Sequence, residues 1–183
     1  MPKVKPAGKG KIESETITLR FDKVMLNDLR QESEQKMESL NTLINQIVKS
    51  YINWHNPAAK AGLTYFSKAL VVRMVDSLTD EQIVKLAEDY AKYQAKEEMH
   101  MLRLEYTLSS FIEGLCGWLD VSDIRYRHDE TNNFDTYMIR YDMGRKMSLF
   151  MAKYVEKVFE DLKVKNAEVE ITDNGVLFRI KKE

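Results

Sequence analysis

Thr16-Ile17-Thr18-Leu19-Arg20-Phe21 is the stretch that decides how the N-terminal part of this 183-residue chain folds. Apolar and polar side chains alternate strictly along it, a period of two that predicts a β-strand with one apolar and one polar face. The apolar face carries Ile17, Leu19 and Phe21. The polar face carries Thr16, Thr18 and Arg20.

Two amphipathic helices are expected after this strand. Asp22 is a typical N-cap for a helix that runs to about Gln35. After the turn Lys36-Met37-Glu38, Ser39 can cap a second helix. The apolar residues of the second helix recur at the spacing of a buried helical face, and they are Leu40, Leu43, Ile44, Ile47, Val48, Tyr51 and Ile52.

A strand and two helices within about 40 residues cannot bury a stable core alone. A strand with one apolar face also needs a neighbouring strand. Both requirements are met if two chains pair their strands antiparallel and interlock their helices. The sequence therefore predicts a homodimer, whose two-stranded ribbon presents Thr16, Thr18 and Arg20 of each chain. Whether such dimers join into tetramers stays open.

Residues 14–55 resemble the ribbon-helix-helix DNA-binding proteins, the group of MetJ, Arc and CopG. The resemblance rests on the strand 16–21, the helix 22–33, and Glu38-Ser39-Leu40-Asn41 followed by Thr42-Leu43-Ile44. The turn departs from the family pattern, which usually has glycine where this chain offers Lys36-Met37. The whole layout also resembles archaeal ribbon-helix-helix transcriptional regulators with a C-terminal α+β domain.

The resemblance implies a partner, double-stranded DNA, and a role for each matching residue. Base edges in the major groove would be read by Thr16, Thr18 and Arg20. A backbone phosphate would be held at the start of the second helix by Lys36, Ser39, Leu40 and Asn41. Elementary chemistry agrees, because arginine can donate to two acceptors of guanine and a helix N-terminus attracts phosphate.

The N-terminal end of the chain is basic although the whole chain has a net charge of −1. Residues 1–57 contain nine Lys and Arg against seven Asp and Glu, and the first twelve residues contain no acid. Residues 1–12 are predicted to be a flexible basic arm in which Lys9 and Lys11 contact DNA phosphates. The alternative for these lysines is that they only keep the protein soluble.

A domain boundary is expected around Pro57. The residue before a proline is pushed out of helical geometry, so residues 57–62 are predicted to be a linker. The DNA-binding domain then covers residues 13–56, and a C-terminal domain covers residues 63–183.

The C-terminal domain is predicted to begin with helices and to end in a sheet. Helical patterns capped by Ser67, Thr79 and Thr107 come first. Two strands, a helix that begins at Ser148, and a hairpin through Asp173-Asn174-Gly175 follow. The order ββαββ behind a helical section predicts an antiparallel sheet and an α+β fold.

No motif of this sequence is typical of an enzyme, because a Gly-rich phosphate loop, a nucleophile elbow and an HExxH pair are all missing. His55, His100, His128 and Cys116 lack the close spacing of metal ligands, so no metal or other cofactor is expected. No catalytic residue is assigned.

Two further groups of residues are interpreted as structural. The adjacent acids Glu97-Glu98 and Asp129-Glu130 are predicted to be solvated surface, because neighbouring residues do not face each other as a catalytic pair must. A set of large side chains is predicted to be mostly core, although methionine-rich surfaces also form adaptable pockets. This set is Trp118, Tyr137, Tyr141, Met147 and Met151.

These observations favour a homodimeric, sequence-specific transcriptional regulator whose C-terminal domain adds oligomer contacts or senses a small-molecule or protein effector. No apolar stretch is long enough for a membrane span, no secretory signal is recognisable, and one cysteine fits a reducing compartment, so a cytoplasmic location is expected. Two alternatives stay open. The chain could be an antitoxin that regulates its own gene, or an interaction module that uses the ribbon only to dimerise.

Overall fold

A computed structural model of the protein describes residues 15–102 and 105–182. The helices are α1 (Lys23–Gln35), α2 (Leu40–Ser50), α3 (Asn56–Lys60), α4 (Lys68–Asp76), α5 (Asp80–Tyr93), α6 (Ala95–Met101), α7 (Leu108–Val121) and α8 (Gly144–Asp161), with a π-helix over Tyr51–His55. The strands are β1 (Arg125–Glu130), β2 (Phe134–Arg140), β3 (Ala167–Thr172) and β4 (Gly175–Lys181). This mixture of helices with an antiparallel sheet confirms the α+β class. Within the described ranges, no helix has both the length and the apolar character that a membrane crossing requires.

The chain divides into two compact units between Gln46 and Ile47. In the first unit the predicted caps are confirmed. Asp22 Oδ1 accepts a hydrogen bond from the N–H of Met25 at 2.8 Å, and Ser39 Oγ accepts one from the N–H of Thr42 at 3.0 Å. Residues 15–22 belong to no helix or strand in this single chain. The ribbon therefore stays a prediction, because its strands need a partner chain to form hydrogen bonds.

The predicted end of helical geometry before Pro57 is wrong. Asn56 has φ −68° and ψ −49°, so the chain runs from α2 through the π-helix into α3 without leaving helical conformation. Pro57 lies in the first turn of α3, directly behind the π-helix, where its fixed φ is compatible with helical geometry. The chain leaves helical geometry at Gly62, whose φ is +77°. Most of the segment assigned to a linker is thus helical, and Pro57 and Ala58 are buried.

The second unit confirms the helix starts predicted at Ser67, Thr79 and Thr107. The hydroxyl of each accepts a hydrogen bond from the backbone N–H of the residue three positions later. Thr79 and Gln82 form the full capping box, because the Gln82 side chain also accepts from the N–H of Thr79 at 2.8 Å. The helical section continues through residues 97–101, which lie in α6.

The sheet has the strand order β1-β2-β4-β3, and all its neighbours are antiparallel. It forms with α8 the predicted ββαββ unit, in which α8 packs on β3 and β4 on one side and on α5 on another. The prediction that Ser148 begins α8 is wrong, because the helix begins at Gly144. Ser148 is fully buried inside the helix, and its hydroxyl donates to the carbonyl of Gly144 at 3.3 Å. A serine can satisfy its hydroxyl this way within a helix, so its presence does not mark a start.

The last hairpin is confirmed, with Thr172 paired to Gly175 across the two-residue turn Asp173-Asn174. Neither turn residue has a positive φ, and Gly175 has none either. The glycine is therefore not needed for a left-handed backbone conformation. A Cβ at Gly175 would lie 2.2 Å from the carbonyl oxygen of Ile139. Gly175 is therefore required by the close approach of β4 to β2.

Replacing Gly175 by alanine is expected to destabilise the protein by about 1–3 kcal/mol, because β4 must shift away from a backbone oxygen that cannot move independently. Urea denaturation of the full chain measures this change. The control is Lys181→Ala at the exposed other end of β4, which should stay within about 0.5 kcal/mol of the parent. Equal stability of the two variants would contradict the role given to Gly175.

Candidate functional site

The predicted base-reading residues Thr16, Thr18 and Arg20 have exposed side chains. The opposite face of the same segment is also open, since Ile17 is 73% and Leu19 is 52% exposed. Two large apolar side chains on one short segment thus remain in water in the single chain. Such a face is unfavourable unless another surface covers it.

The turn between α1 and α2 has a left-handed conformation at Met37, where ribbon-helix-helix proteins usually have glycine. Met37 has φ +54°, and its N–H donates to the carbonyl of Glu34 at 3.0 Å. The N–H of Glu38 donates to the carbonyl of Ser33 at 3.0 Å. These two bonds form a Schellman motif, which usually has glycine at the left-handed position. Methionine reproduces the turn at the expense of strain.

The residues expected to hold a phosphate lie together at this turn. Ser39, Leu40 and Asn41 form the start of α2, and the Ser39 hydroxyl also lies 2.7 Å from the hydroxyl of Thr42. Lys36 precedes them, and its Nζ lies 2.7 Å from the carboxylate of Glu32. The other two predicted DNA contacts, Lys9 and Lys11, lie outside the described residues.

Among the described residues, no metal site brings together the histidines and Cys116. His55 Nδ1 lies 2.6 Å from the hydroxyl of Tyr65, and the ring of His128 stacks on Tyr137 at 4.2 Å between centroids. Cys116 is half-buried, and burial raises the pKa of its thiol. In the part of the chain that the structure describes, no three His, Cys, Asp or Glu residues are placed to hold a metal ion.

A cavity of about 280 Å³ lies among the helices of the second unit. Six aromatic residues line it, namely Trp54, Tyr90, Phe111, Trp118, Phe150 and Tyr154. The remaining lining residues are Leu63, Glu98, Met99, Leu102, Gly114, Leu115, Met147 and Met151. The chain contains two tryptophans, and both belong to this lining. Trp54 can approach α7 because Gly117 has no side chain there, since a Cβ would lie 3.2 Å from the indole Cε3.

Glu98 is the one acidic residue among the described residues that line this cavity. The hydroxyl of Tyr90 donates a hydrogen bond to its carboxylate. Burial raises the pKa of Glu98 in spite of this bond, and burial together with the same bond raises the pKa of Tyr90. No basic side chain within residues 15–102 and 105–182 forms an ion pair with this carboxylate.

The prediction that Glu98 is solvated surface is wrong, whereas its neighbour Glu97 is exposed as expected. The reason is the orientation of α6, whose buried residues Ala95 and Met99 turn the adjacent Glu98 toward the cavity. A signal for this orientation exists in the sequence. Small or apolar residues recur every four positions at Ala87, Ala91, Ala95 and Met99, which extends the buried helical face past Tyr93.

No protein-family model, curated protein or solved structure matches this chain. The resemblance to ribbon-helix-helix proteins accordingly rests on the residues of the N-terminal segment. What bears on function is the geometry described above, namely an exposed N-terminal segment with apolar side chains, a capped helix pair and an aromatic cavity with one carboxylate among its described lining residues.

Replacing Met37 by glycine is expected to stabilise the protein by about 1 kcal/mol, because glycine adopts positive φ without strain. Little packing is lost, since Met37 is 93% exposed. Thermal melting followed by circular dichroism at one fixed chain concentration measures the gain. Met37→Ala keeps the Cβ and should leave the melting temperature nearly unchanged, so a gain of the same size in both variants would argue against backbone strain.

Proposed function

We propose that this protein is a homodimeric, sequence-specific DNA-binding transcriptional regulator. Residues 13–56 supply a ribbon-helix-helix domain, in which the segment 16–21 of two chains pairs into an antiparallel ribbon that enters the DNA major groove. Residues 63–183 form a C-terminal domain that adds contacts or senses an effector. The buried core of the second unit supports the idea of such a separately folded domain.

The observation that carries this proposal is the uncovered apolar face of the N-terminal segment. Of residues 15–46, all of which the structure describes, only Ser33 and Leu43 are buried. Ile17 and Leu19 remain exposed, and so do the apolar side chains Val24 and Met25 of α1. A second copy offers the same apolar face in a two-fold arrangement and also satisfies the backbone hydrogen bonds of the strand.

In this dimer the polar face of each strand remains accessible and can contact DNA. The guanidinium of Arg20 can donate to two acceptors of guanine, and the hydroxyls of Thr16 and Thr18 can donate, accept or allow contact with a thymine methyl. The start of α2 adds free N–H groups for a phosphate, with the backbone of Leu40 and Asn41 nearest to the helix end. Base contacts would give specificity, and the phosphate contact would fix the register of the ribbon.

The two alternatives differ from this proposal in what the second unit or the ribbon does. An antitoxin would use its C-terminal part to block a toxin, but such parts are usually short and fold on their partner. The second unit here has its own hydrophobic core, which favours an independently folded domain. An interaction module would dimerise through the ribbon without reading DNA, so the DNA-binding test below separates it from a regulator.

Leu19→Asp is expected to weaken dimerisation by about 100-fold or more, because it places a charge in the apolar face between the two chains. Thr18→Asp introduces the same charge one residue earlier on the polar face and should leave the dimer intact. Sedimentation of both full-length variants over a dilution series measures the difference. Dimers of equal strength in the two variants would contradict the paired ribbon.

Arg20→Ala is expected to lower affinity for the preferred DNA site by about 1–3 kcal/mol for each half-site, because it removes base contacts. The site is first selected from random duplexes with the parent protein. Binding of each variant to the selected and to a scrambled duplex is then measured by anisotropy over a salt series. Arg20→Ala should bind the scrambled duplex nearly as well as the parent, because that binding depends mainly on phosphates.

The matched control for this measurement is Arg30→Ala, which removes the same charge from an exposed position in α1. Its effect should be small and equal on the two duplexes. If Arg20→Ala also weakened both duplexes equally, the segment 16–21 would not read bases. If the parent selected no sequence at all, the interaction module would be the better assignment.

A further inference from the structure

We propose that the cavity of the second unit is a binding site for a small organic ammonium ion, held by the Glu98 carboxylate and by the faces of the surrounding aromatic rings. This assignment concerns the second unit alone and does not depend on DNA binding by the first. The size of the cavity, its aromatic rings and the single acid among its described lining residues support it.

The size of the cavity sets the size of the ligand. Its volume of about 280 Å³ lies just below the range of about 300–1,000 Å³ that is usual for drug-sized ligands. A ligand with one small ring or a short branched chain fits this space better than a nucleotide or a peptide. Met99, Met147 and Met151 line the wall, and their flexible side chains can adjust to the outline of the ligand.

The aromatic rings of the lining form a connected cluster. The ring of Tyr154 lies 5.6 Å from that of Tyr90, 5.8 Å from that of Phe111 and 6.3 Å from that of Phe150, measured between centroids. Trp54 and Trp118 complete the wall. Aromatic faces carry partial negative charge and attract cations, and tryptophan does so most strongly. Several rings around one space therefore favour a cationic guest over an anionic one.

The carboxylate gives the ligand its charge and its orientation. Glu98 accepts one hydrogen bond from Tyr90, which leaves further acceptor positions on its two oxygens. Burial holds the pKa of Glu98 above its usual range, so a positive charge beside the carboxylate would stabilise its charged form. An ammonium ion supplies this positive charge and a hydrogen-bond donor together. A neutral ligand supplies no charge, and an anion would be repelled.

The test uses the intrinsic fluorescence of the full-length protein, because both tryptophans of the chain line the cavity. Three probes of nearly the same size are titrated at neutral pH, namely 2-phenylethylamine, 2-phenylethanol and phenylacetate, which are cationic, neutral and anionic. We expect a saturable change with the amine, with an affinity at least about tenfold higher than for the alcohol and higher still relative to phenylacetate.

Two variants assign the selectivity to the carboxylate. Glu98→Gln keeps the shape of the side chain and should lower the affinity for the amine by about tenfold while changing that for the alcohol little. Glu97→Gln removes the same charge from the exposed neighbour in α6 and should leave both affinities unchanged. Circular dichroism of each variant checks that it is folded.

Equal binding of the amine and the alcohol to the parent protein would overturn the proposal, and so would the lack of any saturable change with the amine. The same holds if Glu97→Gln and Glu98→Gln weakened the amine equally, since the effect would then reflect the general charge of α6. The comparison of the three probes on the parent protein decides the question even if Glu98→Gln does not fold.

Discussion

The packing of α8 is the interaction on which the second unit depends, because this one helix supports both the sheet and the cavity. Val155 and Val158 are fully buried in the core, and the ring of Phe159 meets that of Phe178 in β4 edge-on at 5.6 Å between centroids. Phe150 and Tyr154, on another side of the helix, line the cavity. Contacts with the sheet and with α5 therefore fix the rotation of α8, and this rotation sets the positions of the rings around the cavity.

The first unit must also cover its apolar side chains, but it does so in a different way. Its described part buries little of its apolar surface, and in the proposed dimer a second chain would supply the cover. Folding of the segment 16–21, dimerisation and DNA binding would then be one linked equilibrium, and the fraction of active protein would rise with chain concentration. A regulator of this kind would respond to its own abundance.

Features governed by neighbouring residues could be predicted from the sequence, and features governed by distant contacts could not. The caps at Asp22, Ser67 and Thr79 are confirmed because a short polar side chain and a nearby backbone N–H suffice for them. The ββαββ order follows from a change of period and is also confirmed. The inward orientation of Glu98 was missed, because the spacing of small and apolar residues indicates a buried face of α6, but only its contacts with α3 and α7 show where this face lies. The strand 16–21 and its DNA contacts stay predictions, because a single chain cannot form the ribbon.

Because Gly117 has no side chain, a substitution at this position can change the ligand preference of the cavity. The indole of Trp54 lies so close to this position that a Cβ there would be 3.2 Å from its Cε3, a tight contact. A larger residue there would displace the indole and so alter the volume of the cavity, while Glu98 and its bond to Tyr90 would remain in place. Size and charge selectivity are thus encoded at separate positions. Substitutions at position 117 can therefore change the size of the preferred ligand without changing its charge.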